Sequence, residues 1–401
     1  MHTIVLCVFV LVYAGMILGR LPGLALDRTG AAVVGAIILI AGGVLSVGDA
    51  FRAADATTLA LLFGLMVISA QLRLGGFYSA VTRRLTATAA SPAGLLARVM
   101  GAAAVLSAVL ANDIICLAMT PIVVEATLAR GLSPLPYLLG LAMAANLGSA
   151  ATLIGNPQNM LIGQVTHLSF TGYLLAAWPC VLVGLLAAWG TIVLAFRGRF
   201  GGPTVRLTVE SPPYDGWQST KGLAALGLCV LLFLWGRFPR ETVALACAGV
   251  LLLSRRMPTH KTLSLIDWPL LLLFMGLFVV NAAVESAGFL AACNHWLATV
   301  GVDLSRSAWL FGVTAVLSNV VSNVPAVMLL LPGHATPEQG TLLAVSSTLA
   351  GNVLLPGSIA NLIVAEQAQI LGVRLGPLTH AKVGVPATVA ALAFSGWWLI
   401  R

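Results

Sequence analysis

The chain has 401 residues, of which 59% are hydrophobic and only 8% charged, against about 25% charged in an ordinary soluble domain. Mean hydropathy is +1.00. This balance excludes a soluble enzyme, a disordered chain and a nucleic-acid binder, and it makes lipid the natural solvent of an all-α polytopic membrane protein. Apolar runs of spanning length, roughly 17–25 residues, fall near 3–19, 30–47, 57–74, 93–111, 136–154 and 169–196. The run at 3–19 lacks a basic leader and reads as a first membrane helix, not a signal peptide. A polar stretch follows at 197–220. The second half offers 221–236, 241–254, 267–284, 306–321, 342–355 and 383–400. Segments 112–129 and 322–332 are apolar but short, and they start at Asn-containing turns, so they read as re-entrant or half-length helices. The six cysteines form no CxxC and read as small buried hydrophobes.

The chain repeats itself. At an offset of 212, Arg28 meets Arg240, Asp55 meets Asp267, Gly64 meets Gly276 and Gly76 meets Gly288. At 211, AVLSAVLAN (104–112) lies over AVLSNVVSN (315–323). At 202, Leu153, Gly155 and Asn159 lie over Leu355, Gly357 and Asn361. The ordered, near-constant offset marks a duplication. The halves run 1–196 and 221–401 with a cytoplasmic linker at 197–220. The expected hairpins are 93–129 and 306–332, and the expected broken helices are 136–163 and 342–371. Each half then has five spans and one hairpin. With the N-terminus outside, only Arg52, Arg237, Arg240, Arg306 and Arg401 of the 21 basic residues stay outside, as the positive-inside rule favours. Five spans is an odd number, so the repeats are inverted, as in secondary transporters. The corresponding segments 75–91 and 287–305 read as interfacial amphipathic helices.

Polar residues inside the apolar segments mark function. Two hairpin tips carry Asn112 with Asp113, and Ser322 with Asn323. Two helix breaks carry Asn146, Gly148, Ser149, Thr152, Gly155, Asn156 and Asn159 in one half, and Thr348, Asn352, Gly357, Ser358 and Asn361 in the other. Gly, Pro and Asn in mid-span unwind a helix, which hydrocarbon tolerates only where the backbone lines a cavity or is buried in protein. Freed carbonyls there suit Na⁺, and freed N–H groups suit an anion. Capping alone is the bland alternative for any single Asn, and close packing is the alternative for Gly148 and Ser149. Asp113 is the one acid near the middle of its hairpin, where a proton and Na⁺ can compete for it. Its bland alternative is helix N-terminal charge compensation. Glu125 is read as solvated near a hairpin's inner end, and Glu366 as a helix-end charge. The six His fall at termini or loops without metal-ligand spacing.

These residues carry a resemblance. NDIICLAMTPIV (112–123), AANLGSAATLIGNPQN (144–159), SNVP (322–325) and GNVLLPGSIANLIVAE (351–366) resemble the ion transporter superfamily: divalent anion/sodium symporters, citrate permeases, arsenite permeases and one class of sodium/proton antiporters. The resemblance covers nearly the whole chain. It implies an elevator, with two hairpins meeting two broken helices in a mobile transport domain, and a scaffold that forms a homodimer. The symporters' Ser-Asn-Thr tips read Ala111-Asn112-Asp113 and Ser322-Asn323-Val324 here, closer to the arsenite permease and antiporter branch.

The expected function is a permease in the cell's inner (plasma) membrane, both termini extracytoplasmic. It would carry a small anion, such as a di- or tricarboxylate or an inorganic oxyanion including arsenite, coupled to Na⁺ or H⁺ and using no other cofactor. A Na⁺/H⁺ antiporter using Asp113 is the alternative. Substrate is assigned to Asn112, Asp113, Asn156, Asn159, Ser322, Asn323, Ser358 and Asn361. Ion coupling is assigned to Asp113, Asn146, Gly148, Ser149, Thr152, Gly155, Thr348, Asn352 and Gly357, with Na⁺ at Asn112, Asn146, Asn323 and Thr348. A phosphate-binding loop of the GxxxxGK[ST] type is absent. A membrane enzyme would cluster catalytic residues at one face, and a passive channel would not need paired broken helices.

Overall fold

A computed structural model describes every residue except Pro22, residues 88–90, Arg206, Thr208, Ser211 and Arg255. Arg206 and Arg255, which the charge count sets inside, therefore lie outside the described residues, as do parts of the segments 75–91 and 197–220. Among the described residues the regular structure is helical, with two isolated bridges, Arg20 to Asp27 and Leu132 to Gly201. The first half runs α1 (His2–Leu18), α2 (Arg28–Ala41), α3 (Val47–Ala53), α4 (Ala56–Leu74), α5 (Phe77–Ala87), α6 (Pro92–Val109), α7 (Asn112–Ala129), α8 (Pro134–Ser149), α9 (Pro157–Val165) and α10 (Phe170–Ala195). The second runs α11 (Gly216–Trp235), α12 (Arg240–Leu252), α13 (Thr259–Leu263), α14 (Trp268–Ser286), α15 (Phe289–Thr299), α16 (Ser307–Val321), α17 (Asn323–Leu330), α18 (Pro337–Ala350), α19 (Ile359–Ile370) and α20 (Pro377–Leu399).

Capping explains most boundaries and most departures from expectation. Asp55 starts α4 by accepting from Thr57 N and Thr58 N, and Asp267 starts α14 by accepting from Leu270 N. The run expected at 30–47 ends early, at Ala41. Gly43 turns with φ of 70°, and a Ser46–Asp49 capping box then starts the short α3. The linker expected to reach 220 stops at Asp215, whose carboxylate accepts from Trp217 N and Gln218 N and begins α11. Segment 112–129 is a full helix and not a half-length one: Pro121 is carried inside α7, and Thr120 Oγ1 donates to the Cys116 carbonyl (2.6 Å) in the turn before it. Segment 322–332 does stay short, as the eight-residue α17 and a 3₁₀ turn, Leu331–Gly333.

Among the described residues six helices, α4, α6, α7, α10, α11 and α14, are long and apolar enough to cross a membrane. α10 shows what surrounds them. It buries Tyr173, Ala177, Cys180, Gly184 and Ala188, while Leu175, Trp178, Leu182 and Leu186 on its other face are exposed. A helix apolar all round needs lipid on its open side. The protein is embedded in a membrane.

α8 is the central helix, buried along nearly its whole length and packed by α6, α7, α10, α18 and α19. Further out, α4 packs on α12 and α14 packs on α2. A Cβ added at Gly64 would stand 2.7 Å from the Ala244 carbonyl carbon, and one added at Gly276 would stand 2.7 Å from that of Ala32. These two contacts exchange under the 212 offset. Backbone cannot step aside as a side chain can, so Gly64→Ala and Gly276→Ala are each expected to cost about 1–3 kcal/mol by overpacking. Thermal unfolding in detergent should show both with similarly lowered Tm. An unchanged Tm for either would mean the helices separate freely there.

Candidate transport site

The tips and breaks meet at one place. α7 begins at the first tip, where Asn112 N donates to the Gly155 carbonyl (3.3 Å) and Asn112 Oδ1 accepts from Asp113 N (3.1 Å). α17 begins at the second tip, where Ser322 has φ of 75° and ψ of 160°. That region is almost closed to residues with a side chain, and such strain concentrates at functional sites. With its amide turned to satisfy both sides, Asn323 donates to the Ser347 (3.1 Å) and Gly357 (3.3 Å) carbonyls. Each tip is thus tied to the break of its own half.

The two breaks are built alike. Asn159 Nδ2 donates to the carbonyls of Ser149 (3.3 Å) and Thr152 (3.0 Å), and Asn361 Nδ2 donates to those of Gly351 (2.9 Å) and Leu354 (3.4 Å). Thr152 Oγ1 donates to the Ala108 carbonyl in the first half, and Asn319 Nδ2 to the Ala350 carbonyl (3.0 Å) in the second. The carbonyl of Ala150 accepts from Tyr173 Oη (2.8 Å), and that of Asn352 accepts from His380 Nε2 (3.1 Å). These carbonyls therefore have partners, as a low-dielectric interior requires.

The halves are joined by side chains. Asn146 Oδ1 accepts from Asn112 Nδ2 (3.1 Å) and Ser358 Oγ (2.8 Å), and Asn146 Nδ2 donates to the Oδ1 atoms of Asn352 (2.9 Å) and Asn361 (3.1 Å). Thr348 Oγ1 accepts from Asn156 Nδ2 (3.2 Å) and Gln158 Nε2 (3.3 Å) and donates to Asn159 Oδ1 (3.3 Å). Shifted by 202, the Asn146–Ser358 bond becomes the Thr348–Asn156 bond, and the Asn146–Asn361 bond becomes the Thr348–Asn159 bond. Two of the expected Na⁺ ligands, Asn146 and Thr348, thus have their side-chain oxygens saturated by protein donors.

A cavity of about 30 Å³ opens where the tips face each other. Asn112, Asp113, Ser322, Asn323 and Ser358 line it, together with Pro157, Gln158, Leu270, Val324 and Ile359. Of the residues assigned to substrate, Asn156, Asn159 and Asn361 do not line it. They lie in the hydrogen-bonded layer that holds the breaks. Gly148 and Gly155 serve close approach: a Cβ on either would meet backbone, at Ala104 and at Ser149 respectively. Gly148 therefore follows the packing alternative, while Ser149 Oγ donates to the Asn146 carbonyl (2.8 Å) and accepts from Asn156.

Other assignments change in three dimensions. Glu125 is not solvated: its side chain is 16% exposed and pairs with Arg83 on α5 (3.0 Å). His380 is not in a loop but fully buried in α20. Cys116, Cys180, Cys229 and Cys247 are buried, whereas Cys7 and Cys293 are exposed. Sequence reasoning missed Gln158, although it stands inside the Gly-Asn-Pro-Gln-Asn run. It also missed Ser107 and Ser318, 211 positions apart. Both hydroxyls are buried and without a hydrogen-bond partner among the described residues. Their signal was present, as the shared Ser of AVLSAVLAN and AVLSNVVSN.

A family model described as a citrate transporter matches residues 9–342. The chain belongs to the citrate transporter family. This family member is 28% identical over 452 residues to the silicon efflux transporter LSI3 of Oryza sativa subsp. japonica, an alignment covering 93% of this chain and 92% of that protein. It is 33% identical over 325 residues to the inner membrane protein YbiR of Escherichia coli (strain K12), covering 79% and 81%. Its fold is similar to that of the Alcanivorax borkumensis YdaH transporter, with a TM-score of 0.60 and 15% identity over 99% of this chain and 96% of that one. That structural likeness speaks for the fold alone. As a member of the citrate transporter family, the protein is a membrane transporter and not an enzyme.

Proposed function

We propose that the protein is a secondary active transporter of a small hydroxylated solute, an anion or an inorganic oxyacid, coupled to Na⁺ or H⁺. The observation that carries this reading is the cavity at the meeting of two tips and two breaks. Its polar lining is amide and hydroxyl with one carboxylate, Asp113, and among the described residues no Arg or Lys lines it. Such a lining recognises solute hydroxyls by hydrogen bonds. A multiply charged anion would face Asp113 with no cation beside it unless Na⁺ or a proton occupies the carboxylate. Arsenite and dissolved silicon are small uncharged hydroxylated acids near neutral pH, which favours them over citrate. A tricarboxylate would also require the tips to part, since about 30 Å³ is far below the roughly 300–1,000 Å³ of ordinary ligand pockets.

The repeat units 1–196 and 221–401, inverted and joined near 197–215, account for the bonds and glycine contacts that exchange partners under fixed offsets. An elevator movement of the tips and breaks against α1, α2, α4, α11, α12 and α14, in a homodimer, is the matching mechanism. The distribution of basic residues supports both termini outside the inner (plasma) membrane. For coupling, the unpartnered Ser107 and Ser318 hydroxyls support Na⁺, because a buried oxygen without a donor suits a cation. The second reading, a Na⁺/H⁺ antiporter, rests on Asp113 standing in the cavity itself.

A thermal-shift screen of purified protein tests these readings. Arsenite, silicic acid, sulfate, succinate and citrate are each added with and without Na⁺ at several pH values, because a ligand stabilises the state it binds. Arsenite or silicic acid is expected to raise Tm, more so with the coupling ion. Stabilisation by Na⁺ alone, with no response to any solute, would replace the proposal by the antiporter. Stabilisation by citrate and by neither oxyacid would overturn the substrate assignment.

A further inference from the structure

We infer that Arg28 and Arg240 are alternating latches, each positioning the transport unit in one of two end states by gripping the C-terminal half of the helix that follows a break. The inference rests on the inverted-repeat reading above and extends it to particular residues. The two arginines stand 212 positions apart, each the first residue of its helix, α2 or α12. Their partners differ. Arg240 Nη2 donates to the Gly163 carbonyl (2.6 Å) in the last turn of α9, and beside it Gln164 Nε2 donates to Glu241 Oε2 (3.0 Å). These bonds tie α12 to α9. Arg28 makes no such tie: its Nε donates to the Met16 carbonyl (3.1 Å) on the neighbouring α1, and Thr29 Oγ1 donates to the Pro269 carbonyl (3.3 Å).

The difference is one of conformation, because the residues for the second grip are in place. Gly163 and Gln164 correspond, at the offset of 202, to Ala365 and Glu366 of α19. Glu366 is exposed and makes no ion pair among the described residues. The last carbonyls of α9, Gly163 among them, lack intrahelical donors and carry the negative end of its dipole, so a guanidinium is favoured there. Ala365 stands a turn further from the end of α19 at Ile370, and its carbonyl accepts a guanidinium through its second lone pair. The guanidinium's charge-assisted bond is stronger than a neutral one. The arm helices differ in the same sense. α5 packs on α6 and α7 as well as on α4, whereas α15 packs mainly on α14 and has no fully buried residue. The two halves thus hold unlike positions against their outer helices. When carriers of this design cross, the halves exchange those positions. In the other state Arg28 donates to the Ala365 carbonyl, Glu366 faces Arg28 and Thr29, and Arg240 falls back on its own neighbour α11, as Arg28 now does on α1.

Cross-linking in proteoliposomes tests this on the full chain with Cys7→Ser and Cys293→Ser. The pair Gln164→Cys with Glu241→Cys reports the present state. The pair Thr29→Cys with Glu366→Cys reports the other. Arg240→Gln is expected to raise the Thr29–Glu366 cross-link over the Gln164–Glu241 one by roughly tenfold, the shift that one charge-assisted bond supports. Arg28→Gln should move the ratio the opposite way, and Arg240→Lys should restore most of the wild-type ratio. A lesion of stability alone would lower both cross-links together and would overturn the latch. If both cross-links form but neither arginine variant changes their ratio, the exchange stands and the latch falls. If the Thr29–Glu366 cross-link forms in no variant while the other does, the inverted exchange falls, and the latch with it.

Discussion

Asn146→Ala is expected to be among the most destabilising single substitutions in this chain. One amide joins the first tip, the second break and the end of α8 through four hydrogen bonds. Alanine would leave the Asn112 amide, the Ser358 hydroxyl and the Oδ1 atoms of Asn352 and Asn361 without this partner in a buried layer. Each such orphan costs about 1–3 kcal/mol. Energies within one network do not add, so a total loss of roughly 3–6 kcal/mol is expected. Asn146→Asp separates the terms. It keeps the oxygen that accepts from Asn112 and Ser358 but cannot donate to Asn352 and Asn361, and it brings a charge that needs a cation. Unfolding in detergent, read by the loss of soluble monodisperse protein with temperature, should order the variants as wild type above both substitutions. A Tm for Asn146→Ala equal to wild type would mean that water replaces the amide without cost and that the layer is not structural.

Asp113→Asn is expected to have the largest effect on coupling and a small one on folding. Asp113 lines the cavity beside Asn112 and faces Leu270 of α14, whose start is capped by the carboxylate of Asp267. The substitution keeps the shape and removes both the charge and the titration. On the proposed coupling, lowering the pH of the wild-type protein puts a proton on a carboxylate that Na⁺ would otherwise occupy. The apparent affinity for Na⁺ therefore falls as pH falls. With Asn at 113 that dependence should flatten, and Na⁺ affinity should drop by roughly tenfold or more, as expected when a charged ligand is removed from a low-dielectric site. Solute binding through Asn112, Asn323 and Ser358 should persist. Proteoliposome flux under imposed pH and Na⁺ gradients reads all three quantities. Wild-type profiles in the variant would make Asp113 a helix-end charge only. The coupling ion would then belong to the hydroxyls of Ser107 and Ser318.

Much of this was legible in the amino-acid sequence, because hydropathy and punctuation are local. Runs of apolar residues set the helices, Asp55 and Asp267 set where two of them start, and Gly-Asn-Pro and Leu-Pro-Gly set where two of them break. The equal offsets between the two halves were also legible, since they need only the order of residues. Boundaries failed where a cap or a tertiary bond decided them. Asp215 began α11 early, Gly43 with Ser46 cut α2 short, and α7 carried Pro121 without stopping.

What the polar residues do was decided only in three dimensions. Asn112, Asn146, Asn159 and Asn361 look alike in sequence, as asparagines interrupting apolar segments. Folding turns Asn112 to the cavity wall, makes Asn146 the joint of four bonds, and sets Asn159 and Asn361 to holding the carbonyls of their own breaks. The reason is that a side-chain amide has few bonding positions, and those of Asn146 are filled by partners 34 to 215 residues away. The same holds for Glu125, which sequence leaves in water and Arg83 takes into an ion pair. It holds for His380, which only the packing of α20 brings to the Asn352 carbonyl. Local pattern determined where polar groups interrupt the membrane helices. Long-range packing determined which of those groups are satisfied and which are left to meet a solute.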